Sequence, residues 1–124
     1  MTTHYKTKGF VFRKNERAEA DQNFSVFTKD FGKLELHAKS IRKITSKLRA
    51  DIDIFYFSEI EFIQGKNTKT ITDAIKIVKF DGARVDFRGL KVLNQISETL
   101  EGFIKGQEKD EKTFDLISEI FLKL

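Results

Sequence analysis

The chain has 124 residues, of which 23 are basic and 19 are acidic, giving a formal net charge of +4. It contains no cysteine, which excludes disulfides and thiolate zinc sites and indicates a reducing compartment. No signal-type apolar run follows the N-terminus, and no apolar stretch approaches the ~20 residues that span a membrane. We therefore expect a soluble cytoplasmic protein with no membrane partner, and its 13 phenylalanines predict a folded core.

The N-terminal third of the chain predicts three strands. Residues 5–14 form a β-prone run that ends at the polar stretch 15–21. A second strand is predicted over 23–28, followed by a tight turn in which Gly32 favours a positive φ. Apolar and polar residues then alternate over 34–39, which is typical of a half-buried strand, so strands 2 and 3 form a hairpin.

The middle of the chain predicts two more strands. Residues 52–63 are too rich in β-branched and aromatic side chains for a comfortable helix, and they predict one long strand. A turn follows at 64–67, and the isoleucine-rich run 68–80 predicts the fifth strand.

Apolar residues at helical spacing follow residue 82. They predict one helix over 85–104 and a second helix that Asp110 caps. The apolar face of the second helix comprises Phe114, Ile117, Phe121 and Leu124. This helix reaches the last residue without a cap, which predicts a chain shorter than the architecture it comes from.

Together these elements predict a mainly β chain with C-terminal helices. A five-stranded unit with a longer segment between strands 3 and 4 matches the OB-fold barrel, although strand count alone also fits an SH3-like barrel. We expect an OB-fold nucleic-acid-binding domain over 1–82 and a helical segment over 83–124.

The segment between strands 3 and 4 is basic. From residue 39 to residue 49 it carries five cations and no acidic residue, in a chain whose charges nearly balance. An ordinary solvated surface is one interpretation, but the position beside the sheet surface on which OB-folds bind oligonucleotides favours a polyanion partner. The predicted nucleic-acid-binding residues are Lys39, Arg42, Lys43, Lys47 and Arg49, with Lys6, Lys8, Arg13 and Lys14 of strand 1.

Aromatic side chains are the second component of single-strand binding, because every base has a face on which a ring can stack. The candidate stacking platforms are Phe10, Phe12, Phe27, Phe31 and Tyr56. A small barrel also needs phenylalanine inside it, so a core position is the favoured alternative for each phenylalanine. For Phe31, which lies in the predicted turn, the core position is favoured least.

The sequence offers little for catalysis. His4 and His37 belong to no metal-ligand spacing, and Glu59 and Glu61 fit a solvated strand face. No glycine pattern resembles a phosphate-binding loop. We predict a protein that is not an enzyme and that has no cofactor and no metal site.

Four segments, in this order, resemble the bacterial recombination mediator family RecO. Residues 8–13 (KGFVFR) are similar to its first strand, 19–28 to its acidic loop and second strand, 31–34 (FGKL) to its hairpin turn, and 38–48 to its basic connection after strand 3. Residues 90–103 resemble the first helix of its helical domain in pattern. The likeness lies in the order of the segments.

This resemblance implies binding of single- and double-stranded DNA, strand annealing, and displacement of single-strand binding protein so that recombinase loads, in partnership with RecR. It also implies that the basic connection contacts DNA and that 83–124 is a truncated helical domain. The alternative is a protein-interaction adaptor, in which an OB barrel is only a scaffold. In that case Phe114, Phe121 or Leu124 is partly exposed on a helical face that binds a protein.

Overall fold

A computed structural model of the chain describes residues 3–16, 21–39, 48, 50–78, 87–103 and 110–123. The described elements are β1 (His4–Glu16), β2 (Gln22–Thr28), β3 (Gly32–Ala38), β4 (Phe57–Gln64), β5 (Lys69–Val78), α1 (Phe87–Phe103) and α2 (Glu111–Leu122). All five predicted strands and both predicted helices are present. The predicted domain boundary at residue 82 lies outside the described residues, so the division stays a prediction.

The strands close into a barrel in the order β1-β2-β3-β5-β4. Every pair is antiparallel except β3 with β5, which run parallel and are paired at His37 and Thr70. Because β1 is 13 residues long, its N-terminal half pairs with β4 and its C-terminal half with β2, and the register shifts between Val11 and Arg13. This topology is that of the OB-fold, as predicted.

Two glycines permit close or unusual backbone geometry around β2. A Cβ on Gly9 of β1 would lie 2.4 Å from Cγ1 of Val26, so only glycine fits at this strand pairing. Gly32, in the turn between β2 and β3, has φ of 68°, which confirms the prediction of a positive φ there.

The barrel interior holds the first of two hydrophobic clusters, here called the inner core. Its buried members are Val11, Phe24, Val26, Leu34, Leu36, Ala38, Ile52, Ile60, Phe62, Ile71 and Ala74. Leu34, Leu36 and Ala38 are the inward members of the alternating strand that the sequence predicts. The alternation therefore correctly identifies the buried face of β3.

The second cluster, here called the outer core, lies between the barrel and the helices. Its buried members are Phe10, Phe12, Phe27, Phe55, Phe57, Leu93, Leu100, Phe114 and Ile117. The Phe114 ring of α2 lies 5.9 Å from that of Phe27 and 5.6 Å from that of Phe57. All seven residues of β2 are buried, because one face of the strand lies in the inner core and the other face packs in the outer core.

The fourth strand is shorter than predicted, because residues 52–56 are not part of it. Phe55 has φ of 66°, a conformation that costs a bulky residue of order 1–3 kcal/mol. The Phe55 amide donates to the Val11 carbonyl at 2.7 Å, and the Val11 amide donates to the Tyr56 carbonyl at 2.9 Å. These bonds, together with the stacking of Phe55 on Phe10, hold the turn against β1.

Helix α2 begins where the sequence predicts. The Thr113 amide donates to Oδ1 of Asp110 at 3.1 Å, and the Thr113 hydroxyl donates to Oδ2 at 2.7 Å. These two bonds hold the pKa of the Asp110 carboxyl below its usual value. Asp110 is therefore the N-cap of α2.

The outer core predicts a large difference between two positions on α2. Phe114→Ala removes a buried ring between the barrel and the helix, so we expect the free energy of unfolding to fall by about 3–5 kcal/mol. Leu116→Ala is the matched control, because Leu116 is 57% exposed and its truncation should change stability by less than about 0.5 kcal/mol. Urea denaturation followed by circular dichroism measures both, and equal losses would contradict the packing described here.

Candidate nucleic-acid interface

Of the basic segment between β3 and β4, residues 39–49, the structure describes Lys39 and Leu48. Lys39, directly after β3, is exposed. Leu48 packs partly against the inner core, and its carbonyl accepts from the Asp51 and Ile52 amides at 3.0 and 3.2 Å. The other predicted cations, namely Arg42, Lys43, Lys47 and Arg49, lie outside the described residues.

The four predicted cations of β1 are exposed, but three of them face a carboxylate. Nζ of Lys14 lies 2.8 Å from Oδ1 of Asp53, and Nζ of Lys6 lies 3.8 Å from Oε1 of Glu59. Arg13 forms an ion pair with Glu101 of α1. Among the described residues, Lys8 has no carboxylate within 4 Å. The structure thus places these cations beside negative charges that the sequence analysis did not assign to them.

The remaining titratable candidates also have structural partners. Glu59 and Glu61 are half-buried and face Lys6 and His4, the latter pair at 3.3 Å. His37 lies 2.7 Å from Oδ1 of Asn23 and 3.3 Å from Oδ2 of Asp21. Within the described part of the chain, no cluster of three or more histidine, aspartate and glutamate residues is arranged to hold a metal ion.

None of the described helices has the length and apolar character needed to cross a membrane. That the protein is not an enzyme stays a prediction.

The predicted stacking platforms divide into two groups. Phe10, Phe12 and Phe27 are buried in the outer core, so their prediction as platforms is wrong and the core alternative is confirmed. Phe31 is half-buried at one end of the barrel. Tyr56 is half-buried as well; burial raises the pKa of its hydroxyl, Asp53 and Asp51 raise it further, and Lys14 lowers it.

The covering of β2 limits where a single strand can lie. OB-folds generally bind oligonucleotides on the face of strands 2 and 3, but here Phe27 of that face is packed under α2. On β3, Nζ of Lys33 donates to the Leu100 carbonyl of α1 at 3.2 Å. Exposed cations among the described residues include instead those of β1, Lys29 in the β2–β3 turn and Lys39 directly after β3.

The sequence analysis missed three residues at the end of the barrel nearest the β2–β3 turn. Tyr5 lies beside Phe31, with the ring centroids 5.5 Å apart, and the lysines are Lys29 in the turn and Lys69 at the start of β5. Lys29 stands two residues before Phe31 in the sequence, so a cation near that candidate stacking platform could have been predicted. The approach of Tyr5 and Lys69 depends on the closure of the barrel, which spacing along the chain does not show.

A family model described as "Recombination protein O N terminal" matches residues 1–80, which include every strand of the barrel. The chain belongs to the RecO family. Two similar curated relatives carry the name "DNA repair protein RecO". One, from Dehalococcoides mccartyi (strain BAV1), is 40% identical over 76 residues, which cover 61% of this chain and 30% of the relative. The other, from Bifidobacterium longum subsp. infantis, is 30% identical over 110 residues, which cover 88% of this chain and 46% of the relative.

The RecO relatives are longer than this chain. A third, from Alkaliphilus metalliredigens, is 28% identical over 112 residues, or 90% of this chain and 46% of its own length. This chain therefore spans less than half of these RecO proteins. The family match confirms the resemblance that the order of segments indicates, and the aligned part of the longer matches extends beyond the barrel into the helical segment.

The environment of Tyr56 predicts a measurable titration. In a Tyr5→Phe variant Tyr56 is the only tyrosine, and its absorbance should titrate with a midpoint above ~10. Adding Asp53→Asn should lower that midpoint, because it removes a negative charge and frees the Lys14 ammonium. The raised folded-state pKa contributes stability below pH ~10 that is lost as the pH rises through the folded-state value.

Asp30→Asn is the control for this titration, because Asp30 accepts a hydrogen bond from Thr7 and is not among the charges that act on Tyr56. It should leave the midpoint unchanged. A midpoint that does not respond to Asp53→Asn would show that the Tyr56 environment is not as described.

Proposed function

We propose that this chain is a non-enzymatic DNA-binding module of recombinational DNA repair that binds single- and double-stranded DNA. The observation that carries the proposal is the match of the family model to the residues that form the barrel. Relatives over this region are named DNA repair proteins. The exposed cations at the edges of the barrel support phosphate contacts as the source of affinity.

The proposed contacts are the basic connection and the accessible cations of β1. Lys39 and Lys8 are exposed, and neither has a carboxylate within 4 Å in the described part of the chain. Exposed ion pairs such as Lys14 with Asp53 contribute only about 0–1 kcal/mol, so a phosphate can replace the carboxylate at low cost. Arg42, Lys43, Lys47 and Arg49 complete the proposed surface, with Lys6 and Arg13 in support.

The finer activities are proposals that rest on family membership. They are annealing of strands, displacement of single-strand binding protein and loading of recombinase with a RecR-like partner, in the cytoplasm of a bacterial cell. The proposed organisation is an OB-fold DNA-binding unit over 1–82 followed by a helical segment over 83–124.

The rival function is a protein-interaction adaptor, and one observation favours it. Phe87 is 78% and Leu116 57% exposed on the two helices. Phe114, which the adaptor hypothesis expected to be exposed, is instead buried in the outer core, while Phe121 and Leu124 have no described side chains. An electrophoretic shift assay with single-stranded DNA separates the two functions, because a pure adaptor gives no shift.

Phosphate binding predicts a strong dependence of affinity on salt. If five phosphates of a single strand are neutralised, log K falls with log salt at a slope of about −3.5, roughly a hundredfold weakening between about 50 and 200 mM. Fluorescence anisotropy of a labelled oligonucleotide measures the slope. A slope near zero would rule out the phosphate model.

A triple replacement of Arg42, Lys43 and Lys47 by alanine tests the connection itself. Three lost phosphate contacts should reduce the slope to about −1.4 and weaken all sequences alike, because phosphate contacts do not read bases. The matched control replaces Lys91, Lys112 and Lys123, three exposed lysines of the helical region, and removes the same charge. Equal losses in the two triple variants would show that only net charge matters and that the connection is not the site.

A further inference from the structure

One end of the barrel carries a small cavity lined by aromatic rings. Tyr5 stacks on Phe62 with the centroids 5.4 Å apart and the planes at 21°, and Phe31 meets both rings edge-on at 5.5 and 5.8 Å. Leu34, Gln64 and Lys69 complete the lining. We call this cavity the aromatic mouth. Tyr5 and Phe31 are only half-buried, so these two rings are partly open to solvent.

The size of the aromatic mouth limits what it can hold. Its volume is about 150 Å³, well below the ~300 Å³ at which sites for drug-sized ligands begin. It therefore suits one flat ring system. A nucleobase is such a ring, and stacking on an aromatic side chain is worth ~1–3 kcal/mol per base.

Polar groups at the aromatic mouth fit a nucleotide. Nε2 of Gln64 donates to the Gly65 carbonyl at 2.8 Å, which leaves Oε1 facing away from that bond as an acceptor for a base amino or imino group. Lys69 places an ammonium at the rim. In the described part of the chain Lys69 has no carboxylate within 4 Å, so its charge is available to a phosphate.

A cationic cleft is lined by residues that neighbour those of the aromatic mouth in the chain, since Lys6 follows Tyr5 and Asp30 precedes Phe31. It has a volume of about 220 Å³ and is lined by Lys6, Thr7, Lys8, Lys29, Asp30 and Glu59. Of its carboxylates, Asp30 accepts from the Thr7 hydroxyl at 2.9 Å and Glu59 faces Lys6 at 3.8 Å. Lys8 and Lys29 have no such partner among the described residues, so the cleft can hold phosphates.

We propose that the aromatic mouth binds one unstacked base of a single strand, while Lys8, Lys29 and Lys69 hold the phosphates on either side of it. This inference rests on the proposed DNA binding and adds to it a contact remote from the basic connection. Stacking tolerates any base, so the site makes the chain prefer unpaired strands without reading their sequence. A phosphate-only surface would not distinguish a strand with bases from one without them.

Tyr5 supplies a direct optical report of the proposed site. In a Tyr56→Phe variant Tyr5 is the only tyrosine, and the chain has no tryptophan. Oligothymidine should quench Tyr5 fluorescence at saturation, whereas an abasic strand of the same length should bind without quenching it. Saturation by oligothymidine without quenching would overturn the proposal.

Two substitutions test the affinity. Phe31→Leu should weaken oligothymidine about tenfold and leave the abasic strand unchanged. Because Phe31 also packs against the inner core, Lys69→Gln provides a second test that spares the core and should weaken both strands. Lys66→Gln is its matched control, an exposed lysine of the turn before β5 that does not line the aromatic mouth, and it should have a smaller effect than Lys69→Gln.

The outcomes separate this proposal from the proposed function. If the wild-type chain binds oligothymidine and the abasic strand equally well, DNA binding stands and the base site is wrong. If it binds neither strand, both proposals are wrong. If N-acetyl-phenylalaninamide quenches Tyr5 and oligothymidine does not, the aromatic mouth is a protein-binding site and the base proposal is wrong.

Discussion

The packing of Phe114 on Phe27 and Phe57 determines which surfaces of the barrel stay accessible. It attaches α2 to the outer face of β2 and makes the barrel and the helices share the outer core. The helices thereby cover the rings of Phe10, Phe27 and Phe57, which belong to the same apolar cluster. Covering those rings removes the middle of the usual OB binding face. The proposed polyanion contacts therefore lie outside that face, at the margins of the barrel.

The charges at those margins also have structural roles. The ion pair of Arg13 with Glu101 connects β1 to α1, and that of Lys14 with Asp53 connects β1 to the residues that precede β4. Each pair is exposed, so each contributes little to stability and can be exchanged for a phosphate at a similar free energy. Lys8, Lys29 and Lys69 differ, because no described carboxylate competes for their charge. In the proposed complex a polyanion thus gains most from these three lysines and from the basic connection.

The sequence was sufficient for the elements whose signals are local. The alternation in β3, the cap at Asp110 and the positive φ at Gly32 depend on neighbours along the chain, and all three predictions are confirmed. The assignment of the phenylalanines was not local. Phe24 and Phe27 of β2 face opposite cores, and only the packing of the helices makes the outward one buried.

Tertiary contacts account for the other differences. Residues 52–56 have the composition of a strand, but hydrogen bonds to Val11 force Phe55 into a left-handed conformation that composition does not reveal. The predicted cations of the first strand lie on β1 and are exposed. Their partners were not found, because Glu101 is 88 residues from Arg13 and meets it only when α1 packs on the barrel. The candidate site could therefore be predicted as a set of charges but not as an arrangement.

Base binding at the aromatic mouth, as proposed, depends on the closure of the barrel. Tyr5, Phe31 and Phe62 come from β1, from the β2–β3 turn and from β4, so they meet only in the folded chain. A ligand bound there has no equivalent site in the unfolded state, so its binding stabilises the folded barrel to an extent that grows with the ratio of ligand concentration to Kd. The basic connection differs, since a run of adjacent cations attracts phosphates whether or not the barrel is closed. The proposed base contact at the aromatic mouth consequently requires the folded barrel, whereas the proposed phosphate contacts along the connection require only charge.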